Sequence, residues 1–498
     1  MKILYGGRRY PKGISSAVGG QIFEGDQTLL IVMKFGGTSV GSVPALKKVV
    51  EIVRNGRQKG HSIVMVVSAM NGVTDLLLNA AHKAETGDEK TAHQARAEIA
   101  QKHADVTLHF LGDSPERAVV MAEINALLDE FESLCHGIRV LGELTPRALD
   151  VIAGMGERMS LPQVTAILNE TGVPAQGVSA TELIVTDRRF GAAVPLVEAT
   201  AAKTQAGLRP ILGASRTPVV TGYIGATEDG IQTTLGRGGS DYSATILGRA
   251  LEADEVWIWT DVNGVMTTDP RVVPAAHPIA HLSYAEISEL SFFGAKVLHS
   301  QAIRPARRVD IPVRILNTFE PDHPGTLITA EAKESNKAVK AVAAIKNMSL
   351  ITVEGSGMAG IPGVAGRTFT AVARTDTNVL MISQASSEQS ICFVILSADV
   401  AKVVKSLENE LIREIERRDL EPIRWEDEVV VLAVVGAGMK GTPGISGRLF
   451  GVLGRERINV IAIAQGSSEF NISLVVTRGE ADQAVRVIHA EFELEKPD

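Results

Sequence analysis

Several features that mark particular protein classes are scarce in this sequence. Only two cysteines, Cys135 and Cys392, occur among its 498 residues, too few for a disulfide framework or a cysteine-rich metal centre. No stretch offers the roughly 18 uninterrupted apolar residues that a membrane-spanning helix needs. The formal net charge of −8 lacks the basic excess typical of nucleic-acid-binding proteins. These absences predict a cytoplasmic protein with reduced thiols, whose partners are neither membranes nor nucleic acids.

Aromatic residues are scarce as well. They make up 4% of the chain, whereas apolar residues as a whole reach 45%, a composition that suits buried strands rich in valine and isoleucine. At about 150 residues per domain, the length predicts roughly three domains. Residues 1–28 contain no apolar core of a signal peptide. We expect them to form a flexible extension, or to follow a start codon assigned too early.

From residue 29 to about residue 330, short apolar runs alternate with helical stretches. The predicted strands are Leu29–Phe35, Ile63–Ser68, Pro218–Tyr223, Glu255–Thr260 and Pro312–Asn317. The predicted helices are Val43–Lys59, Ala92–Leu111, Pro115–Cys135, Pro146–Glu170 and Tyr242–Leu251. This alternation predicts an α/β domain at residues 29–330, a three-layer αβα sandwich around a mainly parallel sheet. Ligands of such sheets bind beyond the carboxyl ends of the strands.

The last third of the sequence is an internal duplication. Gly355-Ser356-Gly357-Met358 recurs 81 residues later as Gly436-Ala437-Gly438-Met439, and the two copies then match without a gap. Each copy predicts a small α+β unit of the order βαββαβ, at residues 338–426 and 427–498. The first copy runs on into an extended stretch, whereas the second ends with its last helix. We therefore predict that Ala338–Ile345 supplies the missing strand, so that the two units interleave.

A lysine and a glycine turn follow the first predicted strand. Lys34 stands near the end of the strand, and Gly36 and Gly37 let the backbone turn its N–H groups toward a phosphate. Thr38 and Ser39 add hydroxyl groups. The order differs from a Walker loop, because the lysine precedes the glycines. The alternative is an ordinary turn whose lysine extends to solvent.

A second glycine turn lies within Gln232–Asp241. Arg237 can bind a carboxylate through two parallel hydrogen bonds, which a lysine cannot do. Asp241, at the start of a predicted helix, can receive an ammonium group or organise a metal ion. The alternative is that Ser240 merely caps this helix. Both interpretations can hold together, because caps and anion sites use the same backbone N–H groups.

Three further segments carry polar groups at predicted strand or helix ends. Ser68 ends a strand, and Thr74 begins the next helix. Glu157 lies beside two glycines in an apolar helix, where a buried pair with Arg158 is the alternative to a functional role. The loop Thr260–Arg271 follows a strand and suits a nucleotide, although a plain Asx-turn loop would explain it as well.

Together these motifs resemble the aspartate kinases, members of the amino acid kinase family that carry tandem C-terminal ACT domains. The resemblance rests on five segments in order: Lys34–Val40, Gly156–Ser160, Thr233–Ala244, Thr260–Arg271 and Phe293–His299. It implies that ATP, with Mg²⁺, phosphorylates the β-carboxylate of L-aspartate to give 4-phospho-L-aspartate. That reaction is the first step towards lysine, threonine, methionine and diaminopimelate.

The resemblance also implies the residues of each site. Lys34 and Asp241 would be catalytic, with Lys34 stabilising the transferring phosphoryl group. The aspartate site would comprise Ser68, Thr74, Glu157, Arg237, Gly238, Gly239 and Ser240. The ATP site would comprise Lys34, Gly36, Gly37, Thr38, Ser39, Thr260, Asp261, Met266, Arg271, Lys296 and Val297. Met266 departs from the tyrosine usual in the family and donates no hydrogen bond. No set of metal-ligating residues is predicted.

Regulation is implied by the duplicated units. Gln384 and Gln465, each followed two residues later by Ser-Ser-Glu, are the predicted effector-binding residues, with threonine favoured over lysine as effector. Alternatively, the two glutamines only close a sheet edge. We expect a homo-oligomer, a dimer or tetramer, that pairs through its ACT units and shifts between active and inactive states.

Three alternatives from other functional classes remain. The chain could be another kinase of the same fold, acting on glutamate, N-acetylglutamate or UMP, although Glu157 and the tandem units weigh against this. It could be a non-catalytic amino acid sensor, but Lys34, Arg237 and Asp241 are intact. A fusion to homoserine dehydrogenase is not expected, because no dinucleotide-binding sequence follows the second copy.

Overall fold

The computed structural model describes residues 28–293, 298–331, 337–355, 358, 363–385, 389–466 and 469–496. The predicted extension therefore lies outside the described residues, except for Thr28. Lys296 and Val297 of the predicted ATP site also lie outside them. No helix in the described part of the chain is both long and apolar enough to cross a membrane.

The strands and helices follow the predicted alternation. The strands are β1 Leu30–Phe35, β2 Ser62–Val67, β3 Ala175–Val178, β4 Val185–Thr186, β5 Thr217–Thr221, β6 Ile224–Thr227, β7 Gln232–Thr234, β8 Glu255–Thr260, β9 His281–Ser283, β10 Val313–Asn317, β11 Thr326–Thr329, β12 Ala341–Glu354, β13 Met381–Gln384, β14 Ser390–Leu396, β15 Arg424–Val435, β16 Ala462–Gln465 and β17 Asn471–Thr477. The helices are α1 Gly37–Val40, α2 Val43–Gln58, α3 Val73–Glu85, α4 Lys90–Leu111, α5 Pro115–Leu141, α6 Pro146–Ala153, α7 Met155–Glu170, α8 Val197–Gly213, α9 Gly239–Leu251, α10 Tyr284–Phe292, α11 Arg304–Arg307, α12 Val364–Ala373, α13 Val400–Glu410, α14 Ile412–Glu416, α15 Ile445–Arg455 and α16 Arg478–Glu491.

An eight-stranded sheet forms the centre of the first domain, in the order β3-β5-β2-β1-β8-β10-β11-β9. The pairs from β3 to β10 are parallel, and β11 is antiparallel to β10. Helices cover both faces, so the predicted αβα sandwich is confirmed. The carboxyl ends of β1, β2, β5 and β8 consequently meet at one edge.

Strand β1 shows how the two faces are divided. Ile31, Met33 and Phe35 pack into one apolar core, whereas Val32 packs into the other. Because side chains alternate along a strand, Lys34 shares the face of Val32. Helix α9 covers that face and contributes Ala244 to the same core. The lysine therefore points towards the start of α9.

Three predicted helices have a boundary that is wrong by more than two residues, and the one predicted at Pro115–Cys135 continues to Leu141. The helix predicted at Pro146–Glu170 is interrupted at Gly154 and forms α6 and α7. Here β6 and β7 approach so closely that a Cβ on Gly154 would lie 2.6 Å from both Ile224 Cγ2 and Gln232 Nε2. Helix α9 also starts earlier than predicted, at Gly239.

The duplicated units form one six-stranded antiparallel sheet, in the order β13-β14-β12-β15-β17-β16. The first part of β12, Ala341–Ile345, pairs with β15 from Val435 to Val431, and β15 pairs onward with β17. The second part of β12 pairs with β14 and also with Arg424–Glu426. Two long strands thus serve both units, which confirms the predicted interleaving. The predicted boundary after residue 426 falls inside β15.

A buried ion pair joins the first domain to the second duplicated unit. Lys340 Nζ lies 3.2 Å from the carboxylate of Glu286, and both side chains are at most 3% exposed. The same carboxylate accepts hydrogen bonds from the backbone N–H groups of Ser283 (2.7 Å) and Ala437 (2.8 Å). Ala437 belongs to the repeated glycine turn, so this turn contacts α10 directly.

Candidate active site

A cavity of about 430 Å³ lies at the carboxyl edge of the parallel strands. It is lined by Lys34, Ser68, Ala69, Thr74, Glu157, Gly191, Tyr223, Gly236, Arg237, Gly238, Gly239, Ser240 and Asp241. Both predicted catalytic residues and every residue of the predicted aspartate site are in this lining. Cations, carboxylates and backbone groups of glycines thus face one space, which suits a small zwitterionic ligand.

Lys34 and Asp241 form an ion pair at the wall of the cavity. Lys34 Nζ lies 2.5 Å from Asp241 Oδ1, and each side chain is about 12% exposed. The strand register of β1 brings the lysine to this face, and the first turn of α9 brings the aspartate. The lysine therefore does not extend to solvent as an ordinary turn residue would. Each charge holds the other in place until a ligand competes.

The glycine turn before α9 requires left-handed backbone. Gly236 has φ of 79° and Gly238 has φ of 69°, values that side-chain-bearing residues rarely adopt. A Cβ on Gly238 would also lie 2.7 Å from His299 Cβ. Gly238 is the N-cap residue of α9, so the alternative that Ser240 caps the helix is wrong. Ser240 lies inside the first turn and lines the cavity instead.

Glu157 is a buried carboxyl group that faces the cavity from the first turn of α7. It is 4% exposed, and burial raises its pKa to about 8, although Lys34 and a backbone hydrogen bond from Ala69 favour the ionised form. Within the described residues, its Oε2 atom has no hydrogen-bond partner. Arg158 pairs with Glu130 at 3.2 Å, which excludes the predicted alternative of a Glu157–Arg158 pair. The free oxygen is suited to a cationic group of a ligand.

Three residues at or near the cavity were not predicted from the sequence: Asp150, Gly191 and Tyr223. Asp150 in α6 is 2% exposed and accepts hydrogen bonds from the backbone N–H groups of Gly191 and Thr234, both at 2.8 Å. Its only signal in the sequence is a carboxylate within an apolar helical run. Tyr223 lines the cavity with φ of 66°, and Ser243 Oγ accepts a hydrogen bond from its backbone N–H. Nothing in the sequence distinguishes that tyrosine.

The predicted ATP residues lie around the neighbouring strand ends. Gly36 N–H donates a hydrogen bond to the carbonyl of Trp259 at 3.2 Å, which joins the turn after β1 to the end of β8. Ser39 is fully buried, and its hydroxyl lies 2.7 Å from that of Thr318. Its side chain therefore joins α1 to the end of β10 and does not face the cavity. Gly37 and Thr38 also lie outside the cavity lining.

The loop after β8 carries the other described ATP residues. Thr260 donates a hydrogen bond to Asp261 at 3.2 Å. Met266 forms an isolated antiparallel bridge with Pro278. Arg271 is exposed and pairs with Asp269 at 2.7 Å. These residues are not part of the cavity lining, so their role in binding ATP stays a prediction.

Gln384 and Gln465 occupy equivalent places in the duplicated units. They are the last residues of β13 and β16, and both are exposed. These strands form the two ends of the six-stranded sheet order. Among the described residues, no group of three or more histidine, cysteine, aspartate or glutamate side chains is arranged to hold a metal ion.

Comparison with known proteins agrees with this architecture. Residues 30–317 match the amino acid kinase family, and residues 351–411 and 432–492 each match an ACT domain. The chain is 36% identical to the bifunctional aspartokinase/homoserine dehydrogenase of Daucus carota, covering 93% of this chain and 51% of that protein. It thus spans about half the length of that relative. It is 34% identical to aspartokinase 2 of Arabidopsis thaliana, a chloroplastic protein, covering 93% of this chain and 84% of that one.

A solved structure is similar over nearly its whole length. Aspartokinase III of E. coli, in complex with aspartate and ADP, superposes with a TM-score of 0.77 at 31% identity, covering 93% of this chain and 99% of that one. The same enzyme in complex with lysine and aspartate gives a TM-score of 0.74. The chain therefore belongs to the amino acid kinase family. Within that family, it belongs to the aspartokinases.

Proposed function

We propose that the chain transfers the γ-phosphoryl group of ATP to the β-carboxylate of L-aspartate, giving 4-phospho-L-aspartate. The observation that carries this proposal is the Lys34–Asp241 pair, 2.5 Å apart, in a cavity that also contains Arg237 and Glu157. One space thus offers a cation for the phosphoryl group and opposite charges for both ends of an amino acid. The family membership supports the same substrate.

The acceptor needs no general base in this reaction. The β-carboxylate of aspartate has an ordinary pKa of about 3.9 and is already ionised near neutral pH. Catalysis then consists of bringing two anions together and neutralising charge on the transferring group. Lys34 fits that task, because its ammonium group is held at the carboxyl end of β1. Asp241 holds the lysine in place and exchanges this contact when the phosphates arrive.

Arg237 and Glu157 would fix the orientation of L-aspartate. The guanidinium group of Arg237 can bind the α-carboxylate through two parallel hydrogen bonds. Glu157 has a buried oxygen without a partner among the described residues and can accept from the α-ammonium group. Ser68, Thr74 and the backbone of Gly239 also line the cavity. The β-carboxylate would then face Lys34.

Magnesium would enter with the nucleotide. A magnesium site commonly uses one or two protein carboxylates together with substrate phosphates. Asp241 fits this requirement, since its carboxylate lies beside the group that would meet the phosphates. Bound Mg²⁺ would neutralise phosphate charge. The predicted ATP residues Gly36, Thr260 and Met266 lie at adjacent strand ends, where the nucleotide would extend from the cavity.

The tandem ACT units would make this activity respond to an amino acid. Gln384 and Gln465 are the proposed contacts, with L-threonine as the favoured effector and L-lysine next. A lysine complex is known for E. coli aspartokinase III, which keeps lysine in consideration. We also propose a homo-oligomer that pairs through the ACT units, located in the cytoplasm, acting at the first step towards lysine, threonine and methionine.

The decisive experiment measures ADP release with ATP, Mg²⁺ and L-aspartate, with and without L-threonine or L-lysine. Aspartate-dependent release, suppressed by one of the two amino acids, is the expected result and identifies the effector. Turnover with L-glutamate, N-acetylglutamate or UMP but not with L-aspartate would overturn the substrate assignment. Binding of an amino acid without any turnover would indicate a sensor.

A further inference from the structure

Both oxygens of the Asp150 carboxylate accept hydrogen bonds close to the cavity. Its Oδ1 atom accepts hydrogen bonds from the Gly191 N–H (2.8 Å) and the Thr234 hydroxyl (2.7 Å). Its Oδ2 atom accepts from the Thr234 N–H (2.8 Å) and, more distantly, from the Gly191 N–H (3.0 Å). These donors are neutral, so burial still raises the pKa of Asp150. Burying a carboxylate costs free energy. We therefore expect a carboxylate to join two loops in the interior only where the separation of the loops matters.

Both partners of Asp150 lie next to groups that line the cavity. Gly191 is itself in the lining, and a Cβ on Gly236 would lie 3.2 Å from the Gly191 carbonyl oxygen. Thr234 is the last residue of β7, three positions before Arg237. The Thr234 carbonyl also accepts a hydrogen bond from Ala193 N–H at 2.9 Å. The Asp150 carboxylate therefore joins the loop around Gly191 to the start of the turn that contains Arg237.

We propose that Asp150 is a positioning residue, which acts through Gly191 and Thr234 to place Arg237 for the acidic substrate. Asp150 is not in the cavity lining, so its effect on the ligand is indirect. The inference rests on the proposed function, since it assumes that Arg237 binds the α-carboxylate of L-aspartate. It assigns Asp150 to substrate affinity and not to nucleotide affinity, because Gly191 lines the cavity together with the proposed aspartate residues, whereas the described ATP residues other than Lys34 lie outside that lining.

Two substitutions at Asp150 test this assignment through steady-state kinetics. Asp150→Ala removes every acceptor and is expected to raise KM for L-aspartate by about tenfold or more, with KM for ATP unchanged. Asp150→Asn is nearly isosteric. Its oxygen can accept from both N–H groups, but its amide nitrogen, which can donate to the Thr234 hydroxyl, also faces the Gly191 N–H, and neither of these two donors can accept. We expect it to raise KM for L-aspartate by about threefold, less than Asp150→Ala does.

Further variants separate positioning from simple stability. Thr234→Val removes the hydroxyl contacts to Asp150 and Tyr223 and should raise KM for L-aspartate by about threefold, which keeps the inference testable if Asp150→Ala does not fold. The control is Glu255→Gln, which weakens a partly buried pair with Arg314 (2.8 Å) at the opposite end of β8. This control should lower the melting temperature without changing KM for L-aspartate.

The outcomes distinguish this inference from the proposed function. Wild-type protein that does not phosphorylate L-aspartate would overturn the proposed function and this inference with it. Active wild-type protein, combined with folded Asp150→Ala and Thr234→Val variants whose KM for L-aspartate is unchanged, would overturn the inference alone. A parallel rise of KM for both substrates would also overturn it.

Discussion

The ionisation of Glu157 makes a quantitative prediction about substrate binding. Burial raises the pKa of this carboxyl group from 4.5 to about 8 in the free protein. At pH 7, one unit below this value, about nine in ten molecules carry the proton. An ammonium group next to Glu157 favours the ionised form. Binding of L-aspartate at pH 7 should therefore release about 0.9 proton per molecule bound.

The same ionisation sets the pH dependence of affinity. Deprotonating Glu157 at pH 7 costs about 1.4 kcal/mol, or roughly tenfold in the dissociation constant, relative to a pH well above 8. The dissociation constant for L-aspartate should thus fall by about tenfold per unit as pH rises from 6 to 7.5, and should level off above pH 8. The sign follows from a raised pKa: the protonated form, which does not attract an ammonium group, dominates on the acid side.

Isothermal titration calorimetry measures both quantities. Titrations with L-aspartate at pH 7, in two buffers of different ionisation enthalpy, give the number of protons released. Glu157→Gln is the matched control, because glutamine has nearly the same shape and cannot ionise. This variant should bind L-aspartate more weakly, without proton release and without the acid-side slope. The reasoning would be refuted by wild-type binding that releases no proton at pH 7, or by equal release from the glutamine variant.

Three further predictions concern the charged groups described above. Lys34→Met should reduce kcat for ADP release by about 10²–10³-fold, because it removes the cation facing the transferring phosphoryl group; a loss below about tenfold would contradict that role. Asp241→Asn should lower kcat without moving the pH optimum, since Asp241 is an organising group and not a proton acceptor; a displaced acidic limb of the pH–rate profile would argue for a base. Lys340→Met leaves Glu286 buried without its cation and should destabilise the fold by about 3–5 kcal/mol, measured as a lower urea midpoint. The double variant with Glu286→Gln should recover part of that loss, and no recovery would show that the two side chains are not coupled.

The predicted fold was largely correct because the relevant signals are local and periodic. Apolar runs of five or six residues identified β1, β2, β5, β8 and β10 to within two residues of their ends. Strands β4, β6 and β7 have only two to four residues. Such short segments do not show a recognisable alternation of apolar and polar residues. The long duplication, in turn, revealed the interleaved ACT units before any pairing was known.

Residues of the candidate site could be predicted where the type of a single residue indicates the kind of ligand it binds. Lys34 stood out because a cation at the end of an apolar strand needs an anion, and Arg237 because a guanidinium group in a glycine turn suits a carboxylate. Asp150 did not, because its partner Thr234 lies 84 positions away and only the folded chain brings them together. Ser39 illustrates a hydroxyl whose contact could not be predicted. A hydroxyl in a glycine turn suggests a phosphate ligand, but the fold uses it to contact Thr318.

Because β12 and β15 serve both ACT units, the segment that was duplicated is not the segment that folds as a unit. A chain truncated after residue 426 would keep the first ACT sequence but lose most of β15, the partner of Ala341–Ile345. That segment would become an unpaired, apolar edge strand, which is a template for aggregation. Grafting the second ACT copy onto another protein would fail in the same way unless residues 338–345 were transferred with it. The sequence that was duplicated and the segment that would have to be transferred to obtain a folded unit therefore have different bounds in this chain.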